Sequence, residues 1–264
     1  MESPEQQKKA SLVGAFFIFL FSTFQAQAFC PVAQHLQFVR VSKVIDGDTL
    51  RLDDGRSVRL IGMNAPETGH NGIQPEPFAE AARKRLQALV TASNERIGLR
   101  IGQQGHDRYG RLLAHAYDAR GRNLEALLLA EGLGYFVALA PNTDLVDCHS
   151  KAEHQARLTH SRLWRQSPVG SVEMLNRPGF SLLEVQIERV RRNRGGIWLE
   201  TTASLVVNIP LRVLDVFDEA LLSALPGKRV EVRGWVIEHG TGRSSGQRRW
   251  LLPVTHPAML RELN

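Results

Sequence analysis

The apolar positions of the chain fall into three regimes. From 10 to 24 they are nearly continuous, with Lys8 and Lys9 before them and Ala26-Gln27-Ala28 after. A basic start, an apolar middle and an A-x-A end form the pattern of a secretory leader, with cleavage expected after Ala28. The run is shorter than the ~20 residues that span a bilayer, so no stable membrane anchor is expected. From 38 to 164 the apolar positions alternate or recur at helical spacing. Strands are predicted at 38–44, 49–52, 57–62, 97–101 and 112–117, and helices at 77–91, 124–131 and 145–164. In the first helix Phe78, Ala81, Ala82, Leu86, Leu89 and Val90 share one face. Pro168, Gly170, Pro178 and Gly179 then interrupt all periodicity. Beyond them come strands at 182–190, 197–202, 205–209, 229–238 and 248–254, with one helix at 214–225.

This pattern divides the chain into a leader (1–28), a first unit (29–166), a linker (167–179) and a second unit (180–264). The class is mainly β with helices (α+β). In the second unit, five strands with a helix between the third and fourth follow the order of a small OB-like barrel. No sequence repeat relates the two units.

Asp53-Asp54-Gly55-Arg56 reads as a hairpin turn. Taking Asp54-Gly55 as its two-residue loop pairs Leu50 with Arg59 and Asp48 with Ile61. Asp48 and Arg59 then become diagonal neighbours on one face of the ribbon. Asn64 follows the second strand and can fold back toward Asp48, while Pro66 keeps Ala65 extended and helps aim Glu67.

Such a set suits phosphodiester hydrolysis. That reaction needs an activated water and neutralisation of a phosphate that gains charge as it becomes five-coordinate. Glu67 is the candidate base. Arg59 and Arg111 can fork onto phosphate oxygens. Asp48 and Asn64 offer hard oxygens to calcium or magnesium. Each segment alone has a plainer reading: Asp46-Gly47-Asp48-Thr49 as a turn, Pro66-Glu67 as a loop, and Asp107-Arg108-Tyr109-Gly110-Arg111 as a polar hairpin connection with Asp107 paired to an arginine.

Composition narrows the partners. The chain has 264 residues, 43% hydrophobic and 23% charged, which excludes a disordered protein. A net charge of +6 on an exported chain suits polyanions: nucleic acid, anionic lipid or cell-wall polymer. No protein partner is legible. The two cysteines, Cys30 and Cys148, both lie after the leader, which suggests one disulfide in an oxidising compartment. The nine histidines are scattered, and His149, His154 and His160 read as structural or exposed for want of partnering carboxylates. Ser161 and Ser167 have no base beside them, so a serine hydrolase is not supported. Trp164 is expected to pack the end of the last helix.

Three segments together, 44–49, 59–68 and 107–111, resemble the thermonuclease (staphylococcal-nuclease-like) family, and the similarity covers residues 40 to 165. The resemblance implies a five-stranded OB barrel with three helices for the first unit. It implies calcium at Asp48, with Asn64 and the Ala65 carbonyl as further ligands and Asp46 in support. Arg59 and Arg111 would stabilise the reacting phosphate, and Glu67 would serve as base. Arg108, Tyr109 and Tyr135 would meet the nucleic acid. The reaction implied is cleavage of the 5′ P–O bond of DNA and RNA, leaving 3′-phosphates. Two departures stand out. The family's best-known member has Asp at the position of Asn64, and tyrosines that pack on substrate are missing near Val137 and Leu139.

In the second unit, two basic connections (189–196 and 239–249) flank the face with which OB barrels usually bind oligonucleotides. Arg191, Arg192, Arg194, Arg248 and Arg249 are therefore nucleic-acid-binding candidates. Two other functions use the same residues differently: a nucleic-acid binder whose site has weakened at Asn64, and an envelope protein that holds anionic polymers through charge alone.

Overall fold

The computed structural model describes residues 30–31, 33–69, 72, 74–239 and 248–263. The expected leader, and residues 240–247 of the second basic connection, lie outside the described residues.

The first unit comprises β1 (Gln37–Val44), β2 (Thr49–Leu52), β3 (Ser57–Leu60), β4 (Met63–Asn64), α1 (Ala79–Thr91), β5 (Arg96–His106), β6 (Leu112–Tyr117), α2 (Leu124–Ala130), β7 (Tyr135–Phe136) and α3 (Val146–Leu158). Five of its strands close a barrel in the order β1-β2-β3-β6-β5. All its contacts are antiparallel except β3–β6, which is parallel. The apolar alternation explains the closure, because Leu50, Leu52, Val58, Leu60, Ile97 and Leu99 all point inward and are essentially inaccessible.

The second unit contains β8 (Gly170–Ser171), β9 (Gly179–Asn193), β10 (Gly196–Thr201), β11 (Leu205–Pro210), α4 (Glu219–Ser223), β12 (Arg229–Glu238), β13 (Trp250–Pro253) and β14 (Leu260–Leu263). Strands β9, β10, β11, β13 and β12 pair in a ring, β12 returning to β9, with β11–β13 as the parallel pair. Numbered within its own unit, each barrel runs 1-2-3-5-4-1 with its third and fifth strands parallel, and each has a helix between its third and fourth long strands. The repeat that is invisible in sequence is present in topology. Strands β8 and β14 are additions at the rim.

Several boundaries differ from expectation. The last helix of the first unit stops at Leu158, because His160 and Arg162 have positive φ values of 48° and 43°, and 162–164 forms only a 3-10 turn. Trp164 in that turn is buried, as expected. The helix expected at 214–225 is divided into a 3-10 turn at Leu211–Val216 and the short α4, capped by the Asp218 carboxylate. Residues 167–179 are not featureless: they hold β8 and a 3-10 turn whose Val172 is buried. Strand β14 was not anticipated.

The barrels are packed together, and one contiguous apolar cluster runs through both. The seam also carries charge. Arg157 on α3 and Arg233 on β12 share Glu153 and Glu231 between them, and Arg261 on β14 also reaches Glu231. Glu153, Glu231 and Arg233 are buried. Cys30 and Cys148 form a disulfide, with Cα atoms 5.1 Å apart, that ties the segment before β1 to the first turn of α3. Among the described residues, no helix is long and apolar enough to cross a membrane.

Candidate active site

The turn between β2 and β3 has three residues rather than two. The Leu52 N–H donates to the Arg56 carbonyl, and Gly55 takes the positive φ of 85° that closes such a loop. The register therefore shifts by one from expectation, so that Thr49 faces Arg59 and Leu50 faces Val58. Asp48 still meets Arg59, by another route. It lies just outside the regular ribbon, where its N–H bonds the Asp46 carboxylate at 2.9 Å. That local turn directs the Asp48 side chain back toward Arg59, and their Oδ2 and Nη2 atoms are 3.0 Å apart.

Gly47 makes the turn possible. A Cβ there would lie 2.6 Å from that of Ala65 and 2.7 Å from that of Ala82, so only glycine lets the loop press against α1. Gly62, at φ +87°, turns the chain from β3 into β4, which pairs with β7. The turn brings Asn64 and Ala65 back over Asp48. The Ala65 N–H donates to Asp48 Oδ2 at 2.7 Å, and Asn64 Oδ1 accepts from Arg59 Nη2 at 3.1 Å. Burial pushes the Asp48 carboxyl up to about 7; Arg59 opposes this and the neighbouring Asp46 charge adds to it.

Arg111 reaches the site from the hairpin between β5 and β6. Asp107 accepts from its backbone N–H at 3.0 Å and from its Nε at 2.7 Å, which fixes the guanidinium. Partial burial works against the Asp107 carboxylate, but these bonds hold its pKa below the ordinary value. Tyr109, 69% exposed, lies beneath the guanidinium groups of Arg108 at 4.8 Å and Arg111 at 5.6 Å. Glu67 is exposed on the loop before α1, where its N–H bonds the Glu76 carboxylate at 3.0 Å. Desolvation by the surrounding protein raises its pKa. The charges of Asp46 and Glu76 add to this, while those of Arg59 and Arg111 oppose it. Glu67 therefore lies within electrostatic reach of both arginines and of Asp46. Arg59 and Arg111 line a common cleft of about 350 Å³, which is also lined by Arg212, Trp235 and Thr255 of the second barrel.

Other expected contacts are arranged differently. The Tyr135 ring packs between Trp164 and Phe180, with centroids 5.8 and 5.5 Å away, and does not line the cleft. In the second barrel, Arg191 pairs with Glu200, Arg192 with Glu219, Arg248 with Glu188 and Arg249 with Glu238, while Arg194 is exposed. None of these five lines the cleft. His149 does have company, contrary to expectation. Its Nε2 bonds Asn123, whose amide donates to Glu125, and Glu125 in turn meets His115. This buried network lies under the turn at Gly62, where a Cβ would come within 2.1 Å of the His149 ring. Sequence spacing gave no sign of it, because its members come from β6, α2 and α3.

An OB-type barrel in which Arg59 pairs with a buried acid and shares a cleft with Arg111 defines a class, and comparison with known proteins narrows it. Residues 57–166 match the family described as staphylococcal nuclease homologue. Over 131 residues the chain is 31% identical to the thermonuclease of Staphylococcus hyicus, covering 48% of this chain and 76% of that protein. The chain belongs to this family. It is also 31% identical over 133 residues to the SPbeta prophage-derived endonuclease YokF and 32% identical over 133 residues to endonuclease YncB, both of Bacillus subtilis. Each match covers 49% of this chain, and they span 44% and 62% of those two proteins.

Proposed function

We propose that the chain is an exported, calcium-dependent nuclease that hydrolyses the 5′ P–O bond of DNA and RNA and leaves 3′-phosphates. The observation that carries this reading is the shared cleft of Arg59 and Arg111, with Glu67 in electrostatic reach of both and Asp48 buried beside Arg59. Family membership supports it, as do the names thermonuclease and endonuclease borne by its relatives. The leader pattern before residue 29 and the disulfide support export. In this reading residues 29–166 form the catalytic unit and 180–264 a second barrel that serves it.

The donor set fits a hard cation. Asp48, Asp46, Asn64 and the Ala65 carbonyl offer only oxygen, and Asp48 is a buried carboxylate whose charge Arg59 alone does not fully offset. Calcium bound there would neutralise charge on the phosphate. Glu67 takes a proton from a water whose oxygen bonds phosphorus. Arg59 and Arg111 hold the equatorial oxygens as negative charge grows, and the 5′ oxygen departs and picks up a proton. Exchanging part of its bonds to Asp48 and Asn64 for phosphate is what brings Arg59 into play.

The test is incubation of the purified full chain with plasmid DNA and with single-stranded RNA, in calcium or in chelator. Cleavage in calcium alone is expected. Glu67→Gln and Arg111→Ala should each lower turnover by about 10²–10⁴-fold with an unchanged circular dichroism spectrum. Near-normal cleavage by both variants would mean that the roles are misassigned. Substrate that is shifted but uncut in calcium would favour the weakened-site binder.

A further inference from the structure

The cleft beside the candidate active site has two owners. The first barrel supplies Arg59, Arg111 and an apolar floor that includes Val137 and the exposed Leu139. The second supplies Arg212, from the 3-10 turn Leu211–Val216, and Trp235, from β12. Trp235 is half-buried and directly opposes Phe180 on β9, and the rings meet edge to face at 5.1 Å and 62°. That contact fixes the indole plane, while its N–H has no hydrogen-bond partner among the described residues. Arg212 is exposed. Six other second-barrel arginines described above, Arg191, Arg192, Arg233, Arg248, Arg249 and Arg261, pair with glutamates. Arg212 has no acidic partner among the described residues.

A packed aromatic plane and a guanidinium without an acidic partner among the described residues, lining one cleft with Arg59 and Arg111, match the repeat of a nucleic acid strand. An aromatic face stacks on any base, and a planar fork suits the next phosphate. A cleft of about 350 Å³ has room for one unstacked nucleotide. Resting on the nuclease reading above, we propose that Trp235 and Arg212 form a substrate subsite of the second barrel. Trp235 stacks the base next to the scissile phosphate, Arg212 holds the neighbouring phosphate, and the subsite favours single strands.

The test uses the full chain carrying Glu67→Gln, with calcium, titrated with a short fluorescent oligothymidylate and read by anisotropy. Trp235→Ala is expected to weaken binding about tenfold. Trp235→Phe, which keeps the packing on Phe180, should retain most of it. Arg212→Ala should weaken binding several-fold and reduce the slope of log affinity against log salt by about one. Arg194→Ala, equally basic but outside the cleft, should change affinity less than Arg212→Ala. In the active chain, Trp235→Ala should raise KM for single strands, leave kcat within about twofold and narrow the preference for single strands over duplex. If Trp235→Phe, Trp235→Ala and Arg212→Ala all fold and bind as tightly as the parent, the subsite is overturned, while cleavage by the wild type leaves the nuclease reading standing. Loss of binding on Trp235→Ala and Arg212→Ala in a wild type that cuts nothing would sustain the subsite and remove the nuclease reading.

Discussion

Arg233 on β12 donates to both carboxylate oxygens of Glu153 on α3, at 2.9 and 2.8 Å. The same nitrogen reaches the Phe136 carbonyl at 3.1 Å, and Glu153 accepts from the Phe136 N–H at 2.8 Å. Phe136 lies on β7, whose partner β4 carries Asn64. The second barrel therefore braces β7, the partner of the strand that presents a candidate metal ligand. Arg233→Met would leave two buried glutamates short of a cation and should cost about 3–5 kcal/mol in urea unfolding. Cleavage should fall as well, because β7 loses its anchor. A denaturation midpoint within error of wild type would show that the contact is dispensable.

Glu231 gives this seam a pH dependence. Its burial opposes ionisation, but hydrogen bonds from Arg157 and the charges of Arg233 and Arg157 prevail and hold its pKa at about 2 rather than 4.5. A carboxylate with a depressed folded-state pKa stabilises the fold fully above its unfolded value. That contribution is lost as pH falls from 4.5 through about 2. It is expected to be on the order of 3 kcal/mol. Glu231→Gln should be less stable near neutrality and should flatten the acid limb of a stability–pH curve. An acid limb as steep as that of wild type would assign the acid sensitivity to other groups.

The charged seam could not be read from the sequence, and the reason is physical. Along β12 the residues alternate as Val230, Glu231, Val232, Arg233. That is the pattern of a strand with one face in water, yet the polar face packs against the first unit. Periodicity reports which residues share a face and is silent on what covers it. The hairpin register shows a second limit. Asp54-Gly55 is compatible with a loop of two or three residues, and the choice moves every cross-strand pair by one. The contact between Asp48 and Arg59 was foreseen because the Asp46-Gly47-Asp48 turn and the strand ends stay close in either register. The second barrel's share of the cleft was missed because Arg212 and Trp235 lie about one hundred residues or more along the chain from Arg111 and carry no local signal.

Gly62 is a position where the backbone admits no side chain. Its φ of +87° disfavours other residues, and a Cβ would lie 2.1 Å from His149 Nδ1. Gly62→Ala should destabilise the protein by roughly 2–4 kcal/mol through backbone strain and overpacking. Because the turn sets β4, cleavage should drop more than stability alone explains when both are measured well below the melting temperature. Unchanged activity would detach the turn from the site.

The disulfide closes a sequence separation of 118 residues and joins the segment before β1 to α3. Cys148→Ser should lower stability by roughly 4 kcal/mol if restriction of the unfolded chain dominates. The serine variant should then unfold at a lower temperature and gain nothing from an oxidising buffer. Equal melting temperatures for variant and wild type would mean that the bridge is not a stabilising element.

Under the calcium reading, Asn64 is the residue on which metal affinity is expected to turn. Its Oδ1 accepts from Arg59 at 3.1 Å, beside Asp48, whose carboxyl is already raised by burial. Asn64→Asp adds negative charge with almost no change in shape, and the new carboxylate has two competing uses. It can pair more tightly with Arg59, or it can draw a cation to the oxygens of Asp48 and Ala65. Calcium has two charges against one for the guanidinium, and a hard-oxygen site gains affinity with each added carboxylate. The calcium concentration at half-maximal cleavage should therefore fall, by up to about tenfold, and calorimetric titration of calcium should show the same gain. If Arg59 captures the new carboxylate instead, calcium affinity will stay level while cleavage slows, because Arg59 is then withheld from phosphate. A calcium curve and a cleavage rate that are both unchanged would remove Asn64 from the site.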